Sequence, residues 1–224
     1  MATRRPPDEG RAPSPGDAAR SGRRAWRHTA LLLLAVALAA SMWRAGAGAT
    51  HQGPPRLLPD ASVGSDLAAL AEETWDLFLG TFAAHHGCIG DVRLRAVTAL
   101  HGRAVYDPAT ATVTVQVPGT RAMLQSALVH EWAHHLEFAC PAHGAMRPTF
   151  LAAQRLPPET PWRPDPLPAT LPAGRWAEIP SEQFAEAAVA LVLEGRPVPT
   201  NAHLTPEAID VVARWAAGRS EAGR

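Results

Sequence analysis

The sequence predicts an α+β domain in which a small, mostly antiparallel sheet packs on one long buried helix, with further helices after it. Apolar residues recur every three or four positions along residues 67–86, as in an amphipathic helix. Segments between residues 92 and 117 alternate in polarity, as half-buried strands do. Residues 121–139 and 180–193 have no internal proline or glycine and are largely apolar. The predicted order is therefore helix, strands, then helices.

Two strand regions follow the first helix. Residues 92–95 predict one strand, while 103–106 and 111–117 predict a hairpin around the turn sequence Asp-Pro-Ala-Thr at 107–110. The proline-rich stretch 141–180 is expected to be extended, with neither a regular helix nor a central strand. A last helix is predicted to begin at Thr205 and Pro206 and to end near residue 217.

The helix predicted over 121–139 carries the motif HExxH at residues 130–134. Four residues advance a helix by about 400°, so His130 and His134 lie on one face, one turn apart. Two imidazoles placed in this way can share one tetrahedral ion, and Glu131, about 100° round the helix, can reach a water on that ion. We therefore predict that His130 and His134 bind one zinc ion and that Glu131 is the general base.

A catalytic zinc ion takes three protein ligands. Residues 135–140 lack the glycine and histidine of the HExxHxxGxxH pattern, which leaves an acid on a separate helix. The helix predicted over 180–193 has two acids, Glu182 and Glu186, on an otherwise apolar face.

The sequence HEWAHH at 130–135, followed by EQFAEA at 182–187, resembles the gluzincins, zinc peptidases with an HExxH helix and a later glutamate ligand. The second motif is similar to that of lethal-factor-type peptidases. For about residues 66–195 the resemblance implies a minimal zincin fold and peptide hydrolysis. It also implies that Glu182 is the third zinc ligand and that Glu186 accepts a hydrogen bond from a ligand imidazole.

In that fold the edge strand above the cleft binds extended peptides, a role expected for part of 103–117, with a plain sheet edge as the alternative. The chain departs from the family where a tyrosine should precede the glutamate ligand, since Arg175 and Trp176 stand there. Tyr106 and His203 remain as candidates to stabilise the oxyanion.

The N-terminal region predicts export. Residues 1–28 are arginine-rich and expected to be disordered, and the apolar stretch 29–43 is shorter than the ~20 residues of a membrane span. It is either a cleaved signal peptide or a membrane anchor, and both place the rest of the chain outside the cytoplasm. A linker is expected over 44–62, the zincin-like domain over 63–218 and a disordered tail over 219–224.

The cysteine and charge content indicate the cellular compartment and the kinds of partner. Cys88 and Cys140, the two cysteines, are expected to form a disulfide in an oxidising compartment. The formal net charge is zero and the body has no basic stripe, which argues against nucleic acid as a partner. Contact with a membrane is expected only through the N-terminal segment.

Together these observations predict an exported zinc metallopeptidase that acts on peptides or proteins. One alternative is a zinc amidase that acts on a non-protein amide of the cell envelope, because the same residues serve that reaction. The other is an extracytoplasmic zinc-binding module that keeps the fold without turnover.

Overall fold

The computed structural model describes residues 53–164, 173–195 and 198–219. The segments 1–28 and 29–43, and all but the first residue of the predicted tail, lie outside these ranges. The described elements, in chain order, are β1 (Leu57–Pro59), α1 (Ser65–Thr81), a 3₁₀ turn (Ala83–His85), α2 (His86–Ile89), β2 (Val92–Val97), β3 (Ala104–Asp107), β4 (Thr112–Gln116), α3 (Arg121–Ala139), α4 (His143–Ala153), α5 (Ala173–Trp176), α6 (Pro180–Val192) and α7 (Pro206–Ala216).

The four described strands form one sheet in the order β1-β2-β4-β3. The α+β class is confirmed, but β1 pairs with β2 and β2 with β4 in parallel, and only β3 and β4 are antiparallel. The prediction of a mostly antiparallel sheet is therefore wrong. β1 lies within residues 44–62, where the sequence predicts only a linker, and α1 provides the crossover that the parallel pair of β1 and β2 requires.

The predicted hairpin is confirmed, with Tyr106 opposite Val113 and Asp107 opposite Thr112. The Asp107 side chain closes the turn, because its Oδ1 accepts a hydrogen bond from Ala109 N at 3.0 Å. The chain passes from β2 to the far edge of the sheet before the hairpin returns β4 to the centre. As a result, β3 is an edge strand of the described sheet.

The HExxH helix α3 lies in the core, as its composition predicts. It begins after Thr120, whose hydroxyl accepts a hydrogen bond from Met123 N at 3.3 Å. Every residue from Ala127 to Glu137 is buried. Trp132 contacts Trp75 of α1 edge-to-face with ring centroids 4.9 Å apart. Three imidazoles and two carboxylates of this stretch are thereby held in an apolar interior, where polar groups need partners.

The prediction that residues 141–180 contain no regular helix is wrong, because α4 covers His143–Ala153 with Pro148 inside it. A proline in the sixth position removes one backbone hydrogen bond near the start of the helix. Met146, Phe150 and Leu151 recur at helical spacing and are buried, so burial of this face outweighs the loss.

The disulfide between Cys88 and Cys140 is present and joins α2 to the residue that follows α3. It fixes the C-terminal end of the helix that carries the two motif histidines. Among the residues described, no helix is both long and apolar enough to cross a membrane.

Candidate metal centre

The structure brings His130, His134 and Glu182 together at one buried point, although Glu182 comes from α6 and the histidines from α3. His130 Nε2 lies 3.0 Å from Glu182 Oε2, and His134 Nε2 lies 3.3 Å from the same oxygen. The two Nε2 atoms are 3.2 Å apart. Three atoms with lone pairs directed at one another repel unless protons or a cation lie between them.

These distances fit a metal ion. In a tetrahedral zinc site, ligand atoms about 2.0–2.1 Å from the ion lie roughly 3.3 Å from one another. The observed separations of 3.0, 3.2 and 3.3 Å are close to that edge length. Two imidazoles and one carboxylate also form a donor set that leaves a fourth position for water or substrate.

Each candidate histidine is oriented by a carboxylate on its other ring nitrogen. His130 Nδ1 lies 3.0 Å from Glu186 Oε1, the contact expected of Glu186. His134 Nδ1 lies 3.4 Å from Glu137 Oε2. A proton on Nδ1 is donated to the carboxylate and leaves the Nε2 lone pair for a metal.

Arg163 is a second neighbour of His134, with its Nη2 3.0 Å from Nδ1. The same Nη2 donates to Glu137 Oε2 at 3.3 Å. An unprotonated Nδ1 accepts from Arg163, whereas a protonated one donates to Glu137. Metal ligation through Nε2 selects the second arrangement, because a neutral imidazole carries its one proton on the nitrogen away from the metal.

The cluster concentrates negative charge in the interior. Every buried carboxylate among the described residues belongs to it: Glu131, Glu137, Glu182 and Glu186. Two positive side chains lie close to this group: Arg163 and Arg147 are 3.3 and 3.8 Å from Glu137 oxygens.

The pKa shifts show how protons balance this charge when no cation does. Burial opposes the charged form of His130, but the hydrogen bond to Glu182 and the charges of Glu131 and Glu182 outweigh it and raise its pKa. Burial likewise opposes ionisation of Glu182, yet hydrogen bonds from His130 and His134 hold its pKa well below the ordinary value. The pKa of His134 is raised against burial by Glu137 and Glu182. Such a site exchanges protons for a metal ion.

A cavity of about 1130 Å³ opens onto the cluster. Glu131 lines it beside His130, His134 and Glu182, so the motif glutamate faces the same space as the three candidate ligands. The edge strand β3 forms one wall, on which Val105 is 48% exposed. The predicted position of the hairpin edge beside the cleft is thus found.

The two candidate oxyanion donors have different positions. Tyr106 lines the cavity, and its hydroxyl lies 2.8 Å from His135 Nδ1. Burial, followed by the charge of Asp107, raises the pKa of Tyr106 to about 12. His203 is exposed, does not line this cavity, and its carbonyl accepts a hydrogen bond from Gln154.

Three residues around the centre were not identified from the sequence. Glu137 had a usable signal, since it stands one turn after His134 in an otherwise apolar helix. Arg163 and Trp176 lie in the proline-rich stretch 141–180, where no apolar periodicity predicts which way a side chain faces. The Trp176 ring stacks on His130 with centroids 5.6 Å apart, in the region where the family resemblance expects a tyrosine.

Comparison of this chain with protein-family models, with curated proteins and with solved structures finds no match. The resemblance to gluzincins therefore depends on the two motifs alone. The geometry of the cluster is an independent argument for metal binding.

Proposed function

We propose that this protein is an exported zinc-dependent peptidase, with His130, His134 and Glu182 as the zinc ligands and Glu131 as general base. The observation that carries the proposal is the convergence of one candidate ligand atom from each of these three residues in the lining of a cavity that Glu131 also lines. The separations of 3.0, 3.2 and 3.3 Å between those atoms, close to the edge length of a tetrahedral site, support a metal ion at that point.

A bound zinc ion supplies Lewis acidity, polarising a substrate carbonyl and lowering the pKa of a water in its coordination sphere to about 7. Glu131 accepts a proton from the attacking water and delivers it to the leaving amide nitrogen. Glu186 and Glu137 hold the two imidazoles in the tautomer that leaves Nε2 without a proton.

A peptide is the substrate class that the cavity favours. One wall is an edge strand, and an extended chain can pair with such an edge through backbone hydrogen bonds. The exposed Val105 and Phe138, at 48% and 51%, offer apolar contacts to side chains of a bound peptide. These features favour peptide bonds over a non-protein amide of the envelope.

An extracytoplasmic location is supported by the Cys88–Cys140 disulfide, since such bonds persist in oxidising compartments. The apolar stretch 29–43 supplies the expected signal or anchor, and it lies outside the described residues. The protein is proposed to act outside the cytoplasm, either secreted or anchored by that stretch.

The test compares the wild type with Glu131→Gln, and with Glu72→Gln on the exposed face of α1 as a matched control. Zinc per chain is measured by elemental analysis, and turnover with a library of fluorescent peptides. We expect one zinc in all three proteins, and turnover about 10²- to 10⁴-fold lower in Glu131→Gln alone. Removal of zinc with a chelator should abolish turnover, and added zinc should restore it.

Full turnover in Glu131→Gln would contradict the role of this glutamate. A zinc-loaded wild type that cleaves an envelope amide but no peptide would favour the amidase alternative. Zinc binding without any turnover would favour a binding module.

A further inference from the structure

Hydrolysis of an amide develops negative charge on the carbonyl oxygen, and enzymes stabilise it with donors held in place beforehand. Tyr106 is poorly placed for this task. Its neighbour His135 has Nε2 2.6 Å from the carbonyl oxygen of Ile89, which can only accept a hydrogen bond, so Nε2 carries the proton. Nδ1 of His135 is then an acceptor, and the Tyr106 hydroxyl donates its single proton there.

We propose that Arg163 supplies the donor for the oxyanion, an inference that depends on the proposed peptidase function. Arg163 lines the cavity and keeps 25% of its side chain exposed. Its Nη1 lies 3.8 Å from Oε1 of Glu182, the carboxylate oxygen that faces away from the histidines. Among the described residues Nη1 has no hydrogen-bond partner, so its two N–H groups are available to a substrate.

The guanidinium is held in place by its other contacts. Nη2 donates to Glu137 Oε2 at 3.3 Å, and the Glu137 side chain is only 3% exposed. The guanidinium carbon lies 5.4 Å from the centre of the Phe138 ring. Because Arg163 is fixed before substrate binds, its donors require little reorganisation during the reaction.

In the proposed hydrolysis Arg163 keeps all of its protons, because it only donates hydrogen bonds. Water oxygen bonds to the carbonyl carbon as Glu131 takes one of its protons, and the π electrons of the carbonyl move onto oxygen. That anion accepts hydrogen bonds from Nη1. When the tetrahedral species collapses, the carbon–nitrogen bond breaks, the proton on Glu131 passes to nitrogen, and the Arg163 hydrogen bonds weaken.

Arg163 is also a counter-ion of Glu137, so the experiment has to distinguish this role from that of a donor to the oxyanion. Arg147 is a matched control for that role. It lies 3.8 Å from Glu137 Oε1 and over the Trp162 ring, but it neither contacts a candidate ligand nor lines the cavity. Arg147→Gln therefore removes a positive charge next to Glu137 and leaves the cavity unchanged.

The experiment compares zinc-loaded full-length wild type with Arg163→Gln, Arg163→Lys and Arg147→Gln. It measures kcat and KM on one peptide, zinc per chain, and affinity for a peptide whose scissile amide is replaced by a tetrahedral phosphonate. In Arg163→Gln we expect kcat to fall about 10²- to 10³-fold, KM to stay within about threefold, and zinc to be retained. Phosphonate affinity should fall by a comparable factor.

Arg163→Lys should have a higher kcat than Arg163→Gln, because lysine keeps a cationic donor. If Arg163→Gln does not fold, Arg163→Lys takes its place in the comparison with the wild type. Arg147→Gln should keep kcat within about threefold. The proposal is overturned if Arg163→Gln keeps its kcat, loses zinc or changes only KM, or if Arg147→Gln is equally impaired. A wild type without turnover refutes the peptidase function instead. In that case the affinity for the phosphonate peptide tests the role of Arg163. Equal affinity in the wild type and in Arg163→Gln overturns that role, and so does the absence of phosphonate binding.

Discussion

Replacement of the buried His143 by asparagine should make the fold less sensitive to acid. The imidazole is enclosed by the rings of Trp162, Phe184 and Trp215. Its Nδ1 accepts a hydrogen bond from Arg147 Nε at 3.2 Å, and its buried Nε2 has no hydrogen-bond partner among the described residues. Burial, which penalises the charged form, is the main cause that lowers the pKa of His143 to about 3.

The sign and size of the effect follow from this shift. Glu137 opposes it, whereas the positive charges of Arg147, His134 and His85 add to it. An unfolded histidine titrates near 6.5. Unfolding therefore takes up a proton below pH 6.5, so the stabilisation is fully present above that pH and is lost as pH falls towards about 3. At about 1.4 kcal/mol per unit the whole shift is worth roughly 5 kcal/mol, of which roughly 2 kcal/mol is lost between pH 6.5 and pH 5.

The assay is urea unfolding of wild type and His143→Asn in the presence of a chelator, at about pH 7.5 and pH 5. Asparagine keeps an acceptor for Arg147, and His203→Asn on the surface serves as control. The free energy of unfolding should fall by roughly 2 kcal/mol more in the wild type than in His143→Asn. Equal falls in the two proteins, or an NMR titration of His143 near pH 6.5, would refute the reasoning.

Protonation of His143 in acid should also disturb the candidate metal centre, because His143 packs against segments that carry residues of that centre. Trp162 directly precedes Arg163, and Phe184 lies between Glu182 and Glu186. Protonation of His143 would charge the aromatic cluster that holds these segments together. Loss of structure in acid is therefore expected to include the metal centre.

Other perturbations have separate expected outcomes. Glu186→Gln should weaken zinc binding about 10- to 100-fold, because Glu186 contacts Nδ1 of the candidate ligand His130, and unchanged affinity in a chelator competition would contradict this. Replacing Cys88 and Cys140 with serine should lower the free energy of unfolding by ~4 kcal/mol, because the disulfide closes a loop across 52 positions. Urea unfolding without reductant measures that loss, and an unchanged value would refute it. Phe78→Ala should destabilise by about 3–5 kcal/mol, since this ring is fully buried, and a denaturant midpoint that does not move would show that the site repacks.

The local part of the site could be read from the sequence. The spacing of His130 and His134 fixes their relative position once the segment is helical, and the apolar composition of 121–139 makes it both helical and buried. The β3–β4 hairpin and the disulfide were also predictable, because turn chemistry and the cysteine pair are signals carried by few residues.

The sheet direction and α4 could not be predicted in the same way. β1 has three residues, too few for a polarity pattern, yet its pairing with β2 makes that end of the sheet parallel. Pro148 argues against a helix locally, and only burial of one face of α4 against the core decides otherwise. In both cases long-range contacts outweigh local preference.

The amino-acid order alone determined a helix that presents two imidazoles and a carboxylate at fixed angles, because backbone hydrogen bonding within one segment sets that geometry. The tertiary structure decided which distant groups meet them: Glu182 and Glu186 from α6, and Arg163 from a stretch without periodicity. Charged groups so far apart along the chain come together only when the free energy of packing offsets the free energy of removing them from water. That is why the contacts of Glu182 and Glu186 with His130, and of Arg163 with His134 and Glu137, became visible only in the folded protein.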